Sequence, residues 1–155
     1  MPRPFTIALI APQPMRHHCR TILTRAGEPP VAARSAPLTS AKRLVQSYRP
    51  AAIVLDAVAS PLRALFVLRT LKRLSPCSHI LLIGAQRTPI AFIVAALRRG
   101  ASGHIAVRDL SRDLPKALRT VAAGEPWLSR QLGAVIVAEI RKASSPESRE
   151  QPRYA

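Results

Sequence analysis

The stretch AAIVLD, residues 51–56, decides the fold of this chain. Five apolar residues run without interruption into the carboxylate of Asp56, a pattern typical of a strand that is covered on both faces in a parallel sheet. The last residue of such a strand lies at the carboxyl edge of the sheet, where open α/β sheets hold their functional groups. We therefore expect Asp56 at the functional edge of the molecule.

Short apolar runs alternate with amphipathic helical patterns along the chain. Strands are predicted at residues 5–10, 31–33, 51–56, 80–83 and 104–107, the second of them weak. A helix is predicted after each strand, with Tyr48 and Ile90 among the side chains expected on buried faces. This strict alternation predicts an α/β fold, a doubly wound, five-stranded parallel sheet of flavodoxin-like architecture with helices on both faces.

A sixth helix is extra to this core, because Ser129 can cap it and apolar residues recur after it at helical spacing as far as Ile140. We expect an α/β domain over residues 1–128 and a C-terminal helix of the linker type over 129–142. Residues 143–155 are polar and contain proline, so we expect a disordered tail or a linker there.

Length and composition limit the class of protein. A chain of 155 residues with 48% apolar residues is sufficient for one compact domain with a real core. No apolar run approaches the roughly 20 residues that a bilayer requires, and the start lacks the apolar core of a secretory signal. We expect a cytoplasmic protein without a membrane partner, in which Cys19 and Cys77 are reduced.

The charge is strongly positive, since 24 Lys and Arg against 8 Asp and Glu give +16. Such a charge attracts polyanions over long range, which makes nucleic acid a candidate partner. The alternative is that the cations lie on solvated helix faces. An aromatic content of 4% argues against a stacking platform for single strands.

Metal and enzyme sites are not indicated. The sequence places His17, His18 and Cys19 near the carboxyl edge of the sheet, but Cys77 and His79 near the opposite edge, so these potential zinc ligands do not converge. Neither a phosphate-binding loop nor a GxSxG nucleophile motif is present. We expect neither a bound metal nor enzymatic activity.

Two segments of the last third resemble a known family. ALRRGASGH, residues 96–104, is similar to the ALxxGAxGY signature of bacterial response-regulator receiver domains. KAL at residues 116–118 and AAGEPWLS at 122–129 resemble the KAI and AAGExWLS segments of the NarL/FixJ subfamily. The resemblance covers residues 6–140 and implies a receiver fold in two-component signal transduction and transcription regulation.

A receiver of this family accepts a phosphoryl group from a histidine kinase on an aspartate, beside a Mg²⁺ ion and a cation. Asp56 matches that phospho-acceptor. The acidic pair that holds Mg²⁺, in the family pattern DDHP, corresponds to Ala11 and Pro12 in the segment APQP. The switch Ser or Thr corresponds to Gly84, or to Ala85 in an ungapped alignment.

The conserved lysine of the family corresponds to Val107, with Arg108 adjacent as a differently shaped cation. The resemblance therefore implies a degenerate pseudo-receiver in which Asp56 is a vestigial phospho-acceptor, a structural residue or an ion-pair partner of Arg108 or Arg63. We expect no Mg²⁺ binding and a function through phosphorylation-independent protein interaction. The alternatives are a basic nucleic-acid-binding protein and a receiver that is still phosphorylated on Asp56.

A candidate interaction face is unusually cationic. It comprises Arg98, Arg99, Arg108, Arg112, Lys116 and Arg119. In receivers this face commonly contacts partners or a second copy, and its positive charge favours an acidic protein or nucleic acid over a homodimer. Regulators of the NarL/FixJ type bind DNA through a helix-turn-helix domain after the linker helix. We expect DNA binding only if such a domain follows in a longer chain, or through the basic surface itself.

Overall fold

Strands and helices alternate along the residues that this computed structural model describes, 5–27 and 32–144. The strands are β1 (Thr6–Ile10), β2 (Ala32–Ala36), β3 (Ala52–Asp56), β4 (His79–Gly84) and β5 (Ala101–Ala106). The helices are α1 (Gln13–Arg25), α2 (Ala41–Tyr48), α3 (Pro61–Leu74), α4 (Ile90–Arg98), α5 (Leu110–Ala122) and α6 (Arg130–Ser144). Short 3₁₀ turns precede α2 at Leu38–Ser40 and α5 at Val107–Asp109.

The sheet is parallel throughout, in the order β2-β1-β3-β4-β5, so β3 lies at its centre. The apolar residues of β3 are at most 1% exposed because helices cover both of its faces. The predicted α/β fold with a parallel, receiver-like sheet is thereby confirmed. Val31, which the sequence placed in the second strand, lies outside the described residues.

Helices divide between the two faces of the sheet. On one face α1 and α5 bury Cys19, Leu23, Leu114 and Leu118 against the odd-numbered residues of β1 and the even-numbered residues of β3. On the other face α2, α3 and α4 bury a second cluster that includes Val45, Leu68 and Ala96. The sheet is therefore doubly wound, and its carboxyl edge lies between two well-packed layers.

Three helix ends show how the local sequence starts or stops a helix. Pro61 opens α3, where a missing N–H is tolerated. Arg49 has a φ of +42° at the end of α2, a left-handed position directly before Pro50. At the start of α6 the Leu132 N–H donates to Ser129 Oγ at 3.1 Å, as expected for a cap. No helix among the described residues is both long and apolar enough to span a bilayer.

Some predicted boundaries and buried faces are wrong. Strand β5 covers Ala101–Ala106 instead of residues 104–107, because alternate residues from Ala101 onward point into the core. Tyr48 and Ile90 were expected to be buried but are each 46% exposed, since they occupy the terminal turns of α2 and α4. Helix α6 continues to Ser144, and the remainder of the predicted tail, 145–155, lies outside the described residues.

Candidate functional site

Three sequence-predicted positions lie side by side at the carboxyl edge of the sheet. Ile10 is in register with Leu55, so the next residues, Ala11 and Asp56, end neighbouring strands. Asp56 is in register with Ile83, which places Gly84 one residue beyond it on β4. The parallel register thus assembles the centre of the site from residues far apart in sequence.

The Asp56 carboxylate is partly buried and accepts a hydrogen bond from the Val58 N–H at 2.8 Å. Burial raises the pKa of Asp56, and the Val58 hydrogen bond acts in the opposite direction. No ion pair to Asp56 occurs among the described residues: Arg108 Nε lies 3.7 Å from Asp109 instead, and Arg63 forms none. The expected pairing of Asp56 with Arg108 or Arg63 is therefore wrong.

The donor set around Asp56 does not fit Mg²⁺. This ion prefers octahedral oxygen ligands, which in the family that the sequence resembles come from an acidic pair. Ala11 is 3% exposed and apolar, and Pro12 caps α1 without a side-chain acceptor. Asp109, farther along the same edge, accepts from Arg112 at 3.1 Å. Asp56 is consequently the one carboxylate among the residues that end or directly follow β1, β3, β4 and β5.

Gly84 leaves space for the imidazole of His104. A Cβ at position 84 would overlap His104 Nε2 and lie 2.6 Å from Thr88 Oγ1. The Nε2 atom is buried and has no hydrogen-bond partner among the residues that the structure describes, and burial lowers the pKa of His104. The position that corresponds to the switch hydroxyl is therefore filled by an imidazole from the adjacent strand.

Val107 begins the 3₁₀ turn after β5 and packs against the cluster of α1 and α5. It offers a methyl surface where the family has an amine. Arg108 is exposed and directed toward Asp109. The described structure therefore provides no cation in contact with Asp56.

A buried thiol lies close to this edge. Burial and, secondarily, the nearby Asp56 carboxylate raise the pKa of Cys19 to about 11. Cys19 belongs to the core cluster under α1, so we assign it a packing role. Cys77 is an exposed free thiol, and no group of three or more His, Cys, Asp or Glu residues is placed to hold a metal within residues 5–27 and 32–144.

All six cationic residues of the predicted interaction face are exposed, and they are contributed by α4, the turn after β5, and α5. Arg98 and Arg99 end α4 before β5 begins, whereas Arg108 follows the end of β5. Arg112, Lys116 and Arg119 form a stripe along α5 at helical spacing. Arg112 also donates to Asp109 and Asp113, at 3.1 and 3.0 Å, so its charge is partly neutralised.

Two backbone hydrogen bonds that were not predicted from the sequence join the segment around Gly103 to the segment around Trp127. The Trp127 N–H donates to the Ser102 carbonyl at 3.1 Å, and the Trp127 carbonyl accepts from the His104 N–H at 3.0 Å. Gly103 permits this approach, because a Cβ there would lie 2.5 Å from the Trp127 carbonyl oxygen. Beside this junction a cleft of about 650 Å³ opens between β5, α4 and α6, lined in part by His104, Trp127 and Leu132.

The chain is similar in sequence and in fold to known response regulators. The chain is 31% identical over 140 residues to the nitrate/nitrite response regulator protein NarL of Escherichia coli K12. The aligned region covers 89% of this chain and 64% of NarL. The chain thus spans less than two thirds of the length of that relative. No protein-family model matches the chain.

Two solved structures share the fold. A two-component response regulator of the LuxR family from Aurantimonas sp. SI85-9A1 superposes with a TM-score of 0.72 at 24% identity, over 86% of this chain and 96% of that one. The isolated receiver domain of RcsB from Salmonella enterica serovar Typhimurium gives 0.73 at 16% identity, over 85% and 98%. In sequence the chain is similar to the response regulator NarL, and in fold it is similar to these two response-regulator structures.

Proposed function

We propose that this chain is a pseudo-receiver that acts in cytoplasmic signal transduction and transcription regulation through phosphorylation-independent protein interaction. The observation that carries this proposal is the composition of the carboxyl edge. Asp56 stands among Ala11, Pro12, Gly84 and Val107, none of which has a side-chain oxygen or amine. Without those groups the phosphoryl acceptor lacks the charge neutralisation that phosphoryl transfer requires.

Burial around Asp56 supports the same proposal. A carboxylate with a raised pKa and one backbone hydrogen bond is a poorer ligand for a hard cation than a solvated acidic pair. The imidazole over Gly84 occupies space next to the position of the missing hydroxyl. We propose that neither Mg²⁺ nor a catalytic step is part of the function.

Intact-mass measurement tests this proposal. The chain is incubated with Mg²⁺ and acetyl phosphate, beside an Asp56→Asn variant and a conventional receiver domain as positive control. We expect no phosphoryl adduct on this chain under conditions that modify the positive control. A stoichiometric adduct that disappears in Asp56→Asn would instead establish the alternative, a phosphorylatable receiver.

Nucleic-acid binding is a second candidate, favoured by the charge of +16 and by the stripe of Arg112, Lys116 and Arg119 on α5. Fluorescence anisotropy with duplex DNA at two salt concentrations discriminates it. Tight binding with a steep salt dependence supports a direct DNA function, and absence of binding at low salt removes it.

A further inference from the structure

Helix α3 carries two large apolar side chains that the described chain leaves uncovered. Leu62 is 80% exposed and Phe66 is 76% exposed, more than any other large apolar residue that the structure describes. Burial of such side chains in an interface is favourable because it removes apolar surface from water. Exposure of two of them one turn apart therefore indicates a surface that a partner covers.

The two residues continue into a cationic line on the same helix face. Leu62, Phe66, Arg69 and Arg73 are all exposed and follow one another at intervals of four, three and four residues. At 100° per residue these positions fall within an arc of about 60° and extend over about 16 Å. We refer to these four residues as the α3 stripe. Its spacing is that of a ridge to which a second helix packs.

The charges of α3 are unbalanced. The helix contains Arg63, Arg69, Lys72 and Arg73 and no acidic residue. Lys72 Nζ donates to the carbonyls of Pro76 and Ser78, at 2.9 and 3.1 Å. Within the described ranges the three arginines form no ion pair. The guanidinium groups of Arg69 and Arg73 are thus available to carboxylates of a partner.

The shape and charge of the stripe select among possible occupants. A second copy of a chain with a charge of +16 would bring arginine toward arginine across a two-fold axis. A bilayer would require a wider apolar face than two side chains in a narrow arc. An amphipathic helix with apolar residues at one end and carboxylates at the other matches both halves of the stripe.

We propose that the α3 stripe docks an amphipathic helix of an acidic partner protein. Apolar side chains of that helix cover Leu62 and Phe66, and its carboxylates bind Arg69 and Arg73. The proposal rests on the proposed function, since it names the surface and the partner chemistry of a module that acts by protein interaction. It does not use Ala11, Pro12, Asp56, Gly84 or Val107.

The test uses a fluorescein-labelled helical peptide with two leucines four residues apart, followed by two glutamates at the spacing of Arg69 and Arg73. Anisotropy titration with the full chain should show saturable binding that weakens about tenfold or more in Phe66→Ser and in the double variant Arg69→Glu, Arg73→Glu. A peptide with lysine in place of glutamate should not bind.

Matched controls distinguish binding at the α3 stripe from non-specific apolar binding and from attraction by the net charge. Ile140→Ser removes an exposed apolar residue of α6, and the pair Arg25→Glu, Arg87→Glu changes the net charge equally. Both should bind the acidic peptide as the unmodified chain does. Equal loss in these controls, or absence of saturable binding, overturns the proposal.

Two other occupants appear as distinct results. Binding to phosphatidylglycerol vesicles without peptide binding would assign the stripe to a lipid surface, and a dimer that Phe66→Ser dissociates would assign it to a second copy. Either result overturns the proposal. Intact mass of the same samples keeps the two proposals apart, because an adduct on Asp56 contradicts the proposed function while leaving the peptide result unchanged.

Discussion

Gly84 and His104 form a coupled pair at the carboxyl edge of the sheet. The imidazole occupies the volume that any side chain at position 84 would need. In Gly84→Ala the ring must rotate away or the strands must separate, so we expect a loss of about 1–3 kcal/mol in the free energy of unfolding. Urea denaturation measures this loss.

A double-mutant cycle shows whether the cost arises from the imidazole. In the His104→Ala background, Gly84→Ala should cost less, with a coupling energy above about 0.5 kcal/mol. Gly133→Ala serves as control, because nothing lies within 4 Å of the added methyl group in α6. Additive effects of the two substitutions would show that the ring and position 84 are independent.

The buried imidazole of His104 also gives stability a pH dependence. Burial lowers the pKa of His104 below its usual 6.5, so the unfolded chain binds this proton at a higher pH than the folded chain does. Stability is complete above the unfolded value and is lost as the pH falls toward the folded value. We expect the melting temperature to fall below about pH 6.5, and to fall less in His104→Asn. Parallel pH profiles of the two proteins would contradict this assignment.

The positions of the site residues in the fold were predictable from the sequence, but the contacts of their side chains were not. Asp56 was predicted correctly at the carboxyl edge, because a short uninterrupted apolar run that ends in a carboxylate is typical of a central strand in a parallel sheet. The filling of Gly84 by His104 was not predicted, because it depends on a rotamer from a neighbouring strand. An ion pair between Asp56 and Arg108 was one of the roles that the sequence left open for Asp56, but Arg108 pairs with Asp109 instead.

At the scale of elements, the hydrogen-bonded junction between β5 and Trp127 attaches the segment before α6 to the edge of the sheet. Gly103→Ala would place a methyl group 2.5 Å from a backbone oxygen that cannot move away as a side chain can. We expect a loss of about 2–3 kcal/mol and faster amide exchange at the His104 and Trp127 N–H groups. Hydrogen exchange by mass spectrometry reports both.

The matched control for this junction is again Gly133→Ala, which should leave exchange at Trp127 unchanged or stabilise α6 by about 0.5–1 kcal/mol. Unaltered stability of Gly103→Ala would mean that the junction is dispensable.

The junction also shows why β5 was predicted too short. The central strands are apolar on both faces, whereas β5 alternates between buried and partly exposed residues, and this weaker pattern requires its partner to be recognised.

At the scale of the molecule, arginines that are close in sequence lie at opposite ends of a strand in the fold. Arg99 and Arg108 are close in sequence, yet β5 crosses the sheet between them over about 20 Å. The predicted cationic face therefore draws its residues from the end of α4, the turn after β5, and a stripe on α5. Helix α3, which the sequence analysis treated only as a buried face, presents a further cationic line.

The ion pairs among the described residues involve few of the many cations, chiefly Arg108 and Arg112 with Asp109 and Asp113, and Lys142 with Glu139. With a net charge of +16, we expect repulsion between like charges to outweigh these surface pairs. Salt screens the repulsion, since the Debye length falls from about 10 Å at 0.1 M to about 3 Å at 1 M. We expect the melting temperature to rise with NaCl over this range, measured by differential scanning fluorimetry.

The variant Arg69→Glu, Arg73→Glu provides the matched comparison, because it lowers the net charge without touching the buried residues of α3. Its melting temperature should depend less steeply on NaCl than that of the unmodified chain. A melting temperature that falls with salt would show that favourable charge pairs dominate instead. That outcome would remove the electrostatic reason for an acidic partner, because a surface already neutralised by its own carboxylates has no excess attraction to offer.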